Sequence, residues 1–446
     1  MNSQTDSEKI FFIHTLGCKV NQYESQAMRE ILLKSGFKEC LSKDMADIYI
    51  VNTCTVTNEA DKESRYMIGL LHRTNPKARI VVTGCYVERN AENISFLPGV
   101  SHIVKNQDKA RIAEVLEPAV KDEEIKSRGQ EKILKVTGFK DHEKAFVKIQ
   151  DGCSNFCSYC KVPLVRNVLM SKPVKDITDE VGELVENGFQ EIVLTGICLG
   201  AWGRDTFYSA MAKGFGLGSV SLVDALRPLC KIEGNFRIRL SSIEPKYVTD
   251  ELIDFMAANQ KICAHLHIPL QSGDDDILKS MNRPYTSEEY SALIDRIRSK
   301  IKDIAITTDV LIGFPGESDS NFRNTVNLTK SIKPLRTHIF TFSRREGTAA
   351  YKMKSSITDD VLKRRFCELN VASLSTSYVY RMKFLDRRLD VLVEARRERQ
   401  TGLLTGYSDN YIKVIFEGDD SLMKKIISIK VKEVSLVYTA GAYGND

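Results

Sequence analysis

Apolar and polar positions repeat with two different periods along this chain, and each change of period marks a new segment. Between residues 9 and 120, the β-branched runs Lys9–Leu16 (KIFFIHTL), Asp47–Asn52 (DIYIVN) and Ala78–Thr83 (ARIVVT) predict strands. Helical spacing over Ser25–Leu33 and Ala60–His72 separates them. This βαβ rhythm predicts an α/β domain with a doubly wound parallel sheet. Residues 121–144 are mostly charged and weakly periodic, which predicts a linker around one short strand. Six more strands are predicted at Ala145–Gln150, Glu191–Ile197, Phe236–Ser242, His265–Gln271, Ala305–Gly313 and His338–Ser343. Helical patterns near 176–187, 220–231, 248–259, 286–301 and 319–331 lie between them. That alternation predicts a partial TIM-type (β/α)6 barrel. A helix over 357–382 closes it. From 383 onward the period returns to two around a turn at Ser408–Asn410, which predicts a small antiparallel β-barrel of OB-like type. The predicted domains are 9–120, 139–372 and 383–446.

Composition agrees with that division. The 446 residues are 42% hydrophobic and 28% charged, a globular balance with material for about three domains. No apolar run approaches the ~18 residues of a membrane span. The start, MNSQTDSEK, has no basic and apolar leader pattern, so a cytoplasmic protein away from membranes is expected. A net charge of +5 permits a nucleic-acid partner without demanding one. The informative number is eleven cysteines. Without an export signal, cysteines point to metal ligation or catalysis and away from a secreted disulfide scaffold.

Cys153, Cys157 and Cys160 form C-x3-C-x2-C directly after the first barrel strand. Three thiolates this close suit a [4Fe–4S] cluster with one iron left open to a substrate or cofactor. A zinc knuckle is the alternative, but zinc usually takes four ligands and no Cys or His follows closely. Cys18, Cys54 and Cys85 are remote in sequence yet share one local frame (IHTLGC, YIVNTC, VVTGC), each just after an apolar strand. In a parallel sheet those positions share the carboxyl edge, where such folds place ligands. They are read as a second cluster triad, against the alternative of three ordinary semi-buried cysteines. Cys40, Cys198, Cys230, Cys263 and Cys367 show no ligand spacing and are read as bystanders, Cys198 being the least certain. His265 and His267 share one strand face. They could be metal ligands, but lumen packing or a substrate hydrogen bond is the preferred reading.

The C-x3-C-x2-C motif after a barrel's first strand resembles the radical S-adenosylmethionine (SAM) enzymes. LGCKVNQYES, VNTCTVTNEA and VVTGCY resemble the amino-terminal domain of the methylthiotransferases. QDGCSNFCSYC, EIVLTGICLG, RIRLSSIEP, HLHIPLQSGDDDILKSMNRPYT, ITTDVLIGFPGES and FSRREGTAA resemble their radical core. VLVEARRE and GYSDNYIKV resemble their TRAM domain. GCKVNQYES is most similar to the branch acting on N6-threonylcarbamoyladenosine of tRNA. Sister branches act on isopentenyl-adenosine in tRNA or on a ribosomal-protein aspartate.

The resemblance implies two [4Fe–4S] clusters and SAM as cofactors. Cys153, Cys157 and Cys160 would hold the SAM-cleaving cluster, and Cys18, Cys54 and Cys85 an auxiliary, sulfur-bearing one. The adenine C2–H is not acidic enough for acid–base removal, so the resemblance assigns that step to a SAM-derived radical. Thr195, Gly196, Glu244, Gln271, Gly313 and Glu317 at strand ends would contact SAM. Arg396, Arg397, Arg399, Tyr407 and Tyr411 would contact RNA, although residues 383–446 carry eleven basic and ten acidic residues and are nearly neutral. Implied partners are tRNA, an electron donor such as a flavodoxin or ferredoxin, and an unidentified sulfur donor. A monomer is expected. Three features depart from the family pattern: few arginines in KVPLVRNVLMSKP, with Arg166 followed by Asn167 where glycine is usual; Cys198 where asparagine is common; and a long Arg204–Gly218 loop. A reading from another class, a non-catalytic iron–sulfur or zinc RNA-binding protein, would explain the cysteines but not the strand-end segments.

Overall fold

The structure is a computed structural model in which residues 9–117, 133–140, 142–214, 220–355 and 357–444 are described. Most of the charged segment 121–144 and residues 215–219, at the end of the long loop and just beyond it, lie outside them. The chain divides into two compact units, residues 1–137 with 161–167, and residues 138–160 with 168–446.

The first unit is built on β1 (Ile10–Thr15), β2 (Lys38–Glu39), β3 (Ile48–Thr53), β4 (Arg79–Gly84) and β5 (Val100–Val104). They pair in parallel in the order β2-β1-β3-β4-β5. Both faces are covered, which is why β3 reads as an unbroken apolar run. Ile48 and Ile50 pack with Phe11, Met28, Leu32 and Val81. Tyr49 and Val51 pack on the other face with Ile68, Leu71, Ile80 and Val82. Helix Lys19–Lys34 begins six residues before the predicted Ser25. Its first turns bury polar residues, Asn21, Glu24 and Ser25, so no apolar periodicity announces them. Residues 161–167, predicted within 139–372, belong to this unit; Arg166 is drawn in by a buried ion pair with Glu24.

In the second unit, β6 (Ala145–Asp151), β8 (Glu191–Gly196) and β9 (Arg237–Leu240) run parallel, with β7 (Met170–Ser171) antiparallel to β6. β10 (His265–His267), β11 (Ala305–Ile312) and β12 (Arg336–Thr341) form a second parallel sheet. The isolated bridges Ile238↔Ile262 and Ser242↔His267 join the two sheets into a partial (β/α)6 barrel. β10 ends four residues before the predicted Gln271, because Pro269 lacks an N–H donor and Gln271 has φ +65°. Helix Asp359–Met382 packs on this barrel.

β13 (Arg388–Val393), β14 (Leu404–Ser408), β15 (Lys413–Phe416), β16 (Ile426–Val434) and β17 (Thr439–Tyr443) close a second, small barrel in the order β13-β14-β15-β17-β16. The expectation of a wholly antiparallel barrel needs one correction: the closing pair β15·β17 is parallel. β16 intervenes in sequence and runs opposite to β15, so β17, antiparallel to β16, runs in the direction of β15. Leu389, Val391, Leu404, Val414, Phe416 and Ile429 fill its core. Among the described residues, no helix is long and apolar enough to cross a membrane.

Candidate cluster sites

Register brings the remote cysteines together. Thr15 pairs with Asn52, and Thr53 with Gly84, so Cys18, Cys54 and Cys85 follow neighbouring strand ends. The approach needs glycine: at Gly17 (φ +95°) a Cβ would lie 2.7 Å from Cys54 Sγ. At Gly84 (φ +99°) it would lie 2.2 Å from the Thr53 carbonyl oxygen. Asn21 Nδ2 ties the loop by donating to Leu16 O (2.7 Å) and Thr53 O (3.0 Å).

Behind this triad lies a charged network. Arg166 donates from Nη1 and Nη2 to the two Glu24 carboxylate oxygens, both at 2.9 Å, and from Nε to Cys85 Sγ at 3.1 Å. Lys109 Nζ pairs with the same carboxylate and lies 3.2 Å from Asn52 Oδ1. Glu24 and Lys109 are fully buried. Burial pushes the Cys54 thiol up to about 11 and raises that of Cys18. Both are therefore protonated at neutral pH without a metal, and ligation would release their protons. The all-sulfur donor set and a guanidinium beside Cys85 fit an anionic iron–sulfur cluster.

In the second unit, the loop Cys153–Cys160 follows β6. Ser158 N donates to Met281 O (3.0 Å), Ser158 Oγ to Ser280 O (2.8 Å), and Ala350 N to Ser158 O (2.7 Å). Tyr159 packs edge-on against Phe314, their centroids 6.5 Å apart. Arg283 donates from Nη1 to Cys157 Sγ at 3.2 Å and pairs with Glu244. Burial raises the Cys157 thiol, and Arg283 opposes that. A hydrogen bond from the Cys198 thiol lowers Cys153. Cys198, read as a bystander, thus touches the loop; its N–H donates to Gln150 Oε1 at 2.7 Å. Three thiols on one short loop, with a cationic donor to one of them, again fit a cluster that leaves one iron open.

Of the six residues expected at SAM, Thr195 and Gly196 end β8, Glu244 lies at the Arg283–Cys157 contact, and Gln271 and Gly313 lie just past the carboxyl ends of β10 and β11. Glu317 follows the GFPG turn after β11. Its carboxylate is buried and accepts from Gly313 N (2.7 Å) and Arg365 Nη1 (2.6 Å), so it braces the GFPGE turn against helix Asp359–Met382. A Cβ at Gly196 would lie 3.0 Å from Gln150 Cβ, so a bulky residue there would push on the side chain that holds Gly152 O and Cys198 N at the start of the cysteine loop. Sequence reasoning missed Glu24, Lys109, Arg166 and Arg283. Glu24 and Arg283 stand inside the quoted GCKVNQYES and KSMNRPYT segments, which was the available signal.

The residues expected at RNA have defined surroundings. Tyr411 stacks on His265 (4.3 Å between centroids) and on Tyr407 (4.9 Å). Arg397 is held by Asp420, Gly402 O (3.0 Å) and Gly418 O (2.9 Å). Tyr411 is thus stacked on two rings and Arg397 is engaged by three partners, while Tyr407 and Tyr411 stay half-buried and Arg397 exposed. Arg396 and Arg399 are exposed. The tyrosines lie where the small barrel caps the amino ends of β8, β9 and β10. There Glu191 binds Arg237 Nε (2.7 Å) and Arg239 Nε (2.8 Å), while both guanidinium groups donate to carbonyls of Asp390, Tyr407, Ser408 and Asp409.

A parallel (β/α)6 barrel with C-x3-C-x2-C after its first strand defines a radical SAM enzyme, here joined to a sheet domain with a second triad. Residues 147–329 match the Radical SAM superfamily, and residues 10–105 match the family described as Uncharacterized protein family UPF0004. A solved Kitasatospora setae radical SAM methyltransferase, TsrM, shares the fold over 77% of each chain, with a TM-score of 0.54 and 15% identity. The chain is 35% identical to the Bacillus subtilis threonylcarbamoyladenosine tRNA methylthiotransferase MtaB, over 96% of this chain and 95% of that one. It is 36% identical to the Thermotoga maritima protein of the same name, over 95% and 94%. It is 33% identical to the Clostridium tetani tRNA-2-methylthio-N(6)-dimethylallyladenosine synthase, over 97% and 95%. The chain belongs to the radical SAM methylthiotransferase family.

Proposed function

We propose that this enzyme inserts a methylthio group at C2 of N6-threonylcarbamoyladenosine beside the tRNA anticodon, giving 2-methylthio-N6-threonylcarbamoyladenosine. The observation that carries the reading is the pair of cysteine triads at strand ends, each with an arginine donating to one of its sulfurs. The names of the B. subtilis and T. maritima relatives support the threonylcarbamoyl branch. The isopentenyl branch is the second reading, because the C. tetani relative carries that name over nearly the whole chain.

Residues 9–120 would hold the auxiliary cluster on Cys18, Cys54 and Cys85, residues 139–372 would bind SAM beside Cys153, Cys157 and Cys160, and residues 383–446 would take part in tRNA contact. When bound, the clusters and SAM supply the radical chemistry and the sulfur. The chain's own work is positional. Arg166 and Arg283 stabilise negative charge on Cys85 and Cys157. Thr195, Gly196, Glu244, Gln271 and Gly313 shape the SAM end of the barrel. The exposed Arg396 and Arg399 suit RNA phosphates. A cytoplasmic monomer using a flavodoxin or ferredoxin as reductant fits this assignment.

Mass spectrometry of tRNA nucleosides from a deletion strain tests it. The methylthio group should vanish from threonylcarbamoyladenosine and return with the wild-type gene but not with Cys85→Ser. Loss from isopentenyl-adenosine instead would favour the second reading. Nucleosides unchanged by the deletion would sink both.

A further inference from the structure

The lumen of the larger barrel holds a group of side chains that neither triad uses. His267 pairs with Thr307 across β10·β11, and Asp309 with His338 across β11·β12. Strand alternation therefore puts His267, Thr307, Asp309 and His338 on one face. The opposite face is turned to the helices: Thr308 Oγ1 lies 3.2 Å from the hydroxyl of Tyr290, on helix Ser287–Lys300. The shared face is thus the lumen.

The metal-competent atoms of His267, Asp309 and His338 all lie within 4.8 Å of one another. His267 Nε2 is 3.1 Å from Asp309 Oδ2. Ligands around one tetrahedral cation at ~2.1 Å sit about 3.4 Å apart, so small ring rotations would gather the three. The other ring nitrogen, His267 Nδ1, is fixed 2.9 Å from Thr307 Oγ1, the outer hydrogen bond that orients ligating histidines. Thr307 Oγ1 is itself 2.9 Å from His265 Nε2, and His265 stacks on Tyr411. The group therefore stands on a rigid floor made by the small barrel. Above it the lumen is not packed shut: Phe340, two residues beyond His338 on the same face, is 50% exposed.

We propose that His267, Asp309 and His338 bind a first-row divalent cation, Zn2+ or Fe2+, in the barrel lumen. Two imidazoles and one carboxylate are a donor set that such cations accept, and three protein ligands leave coordination positions open. Those positions face the space the modified base must enter. Resting on the proposed substrate, they match the carboxylate and hydroxyl oxygens of a threonylcarbamoyl group; an isopentenyl group offers no donor. The site would then read the substituent while the cysteine clusters do the chemistry.

The test uses anaerobically reconstituted, cluster-loaded full-length protein, so that zinc cannot occupy empty cysteine sites. Calorimetric titration with ZnCl2 should give one site in the wild type, weakened about a hundredfold or more in His338→Ala and Asp309→Asn. Iron content should stay at the wild-type level in both. Crystals soaked in ZnCl2 should show an anomalous peak between the three side chains. No wild-type binding, or equal binding in both variants, with no peak, overturns the site. Separately, free N6-threonylcarbamoyladenosine should bind at least tenfold tighter with zinc than without it, and adenosine should not. Zinc-independent nucleoside binding overturns the chelation and leaves the cation site standing. Failure of the substrate reading itself would appear in the tRNA nucleosides of the deletion strain.

Discussion

Replacing Glu24 by Gln is expected to loosen the first unit from its centre outward. The carboxylate is completely buried and is shared by two cations, a two-pronged Arg166 contact at 2.9 Å and Lys109. The amide keeps the shape and removes the only negative side chain of the trio. Two cations then remain in a water-poor pocket. Breaking a buried pair in this way costs about 3–5 kcal/mol. At 1.4 kcal/mol per factor of ten, exchange of strand amides that open only on unfolding should accelerate by roughly two to three and a half orders of magnitude. Hydrogen-exchange mass spectrometry on residues 48–53 and 79–84 of cluster-loaded protein reads this directly. The pH dependence supplies a second signature. Burial lowers the Lys109 pKa, and Glu24 opposes that shift. Without Glu24 the folded pKa falls further below the unfolded value. Between the two values the unfolded chain binds the extra proton, so the stability of the variant should rise with pH. Adding Lys109→Met should recover part of the loss. An acceleration below tenfold, or no recovery in the double variant, would refute the account.

Other consequences are equally direct. Arg283→Ala removes a cation and a donor from Cys157, so the midpoint potential of the radical cluster should become more negative in an EPR-monitored redox titration; an unchanged potential would exclude the contact. Cys85→Ser and Cys157→Ser should each lower iron from about eight to about four atoms per chain, and a variant losing all iron would show that the two sites are not independent. Glu191→Gln should free the small barrel from β8 and β9, because the carboxyl, raised by burial but held far below its usual range by Arg239 and Arg237, is their only shared counter-charge among the hydrogen bonds described. Faster proteolysis within 383–446 would register it, with a cost again of about 3–5 kcal/mol, and wild-type resistance would count against it. Arg396→Glu with Arg399→Glu should weaken tRNA binding and flatten its salt dependence without changing SAM cleavage; unchanged tRNA affinity would remove these two residues from the interface.

What the sequence disclosed and what it hid follow one physical division. Strands β3 and β4 were legible because a strand buried on both faces must be apolar throughout. Both cysteine triads were legible because ligands need fixed positions relative to strand ends, and that frame is written locally. Glu24, Lys109 and Arg166 were not, because a buried ion pair is a property of two distant positions; separately, each is an ordinary surface residue type. Arg166 even stood out as a remnant in an arginine-poor segment, but only the fold brings its guanidinium to Cys85. Tyr407 and Tyr411 show the complementary case. An aromatic pair on a small β-barrel suits base stacking and suits packing on a neighbouring barrel equally well. Sequence records the ring and not the face it meets. The same ambiguity covered His267: alternation placed it on the lumen face, but its value as a ligand depends on Asp309 and His338, which lie 42 and 71 positions further on. In this chain, chemistry carried by neighbours in sequence is visible early, and chemistry carried by neighbours across strands appears only when the register is known.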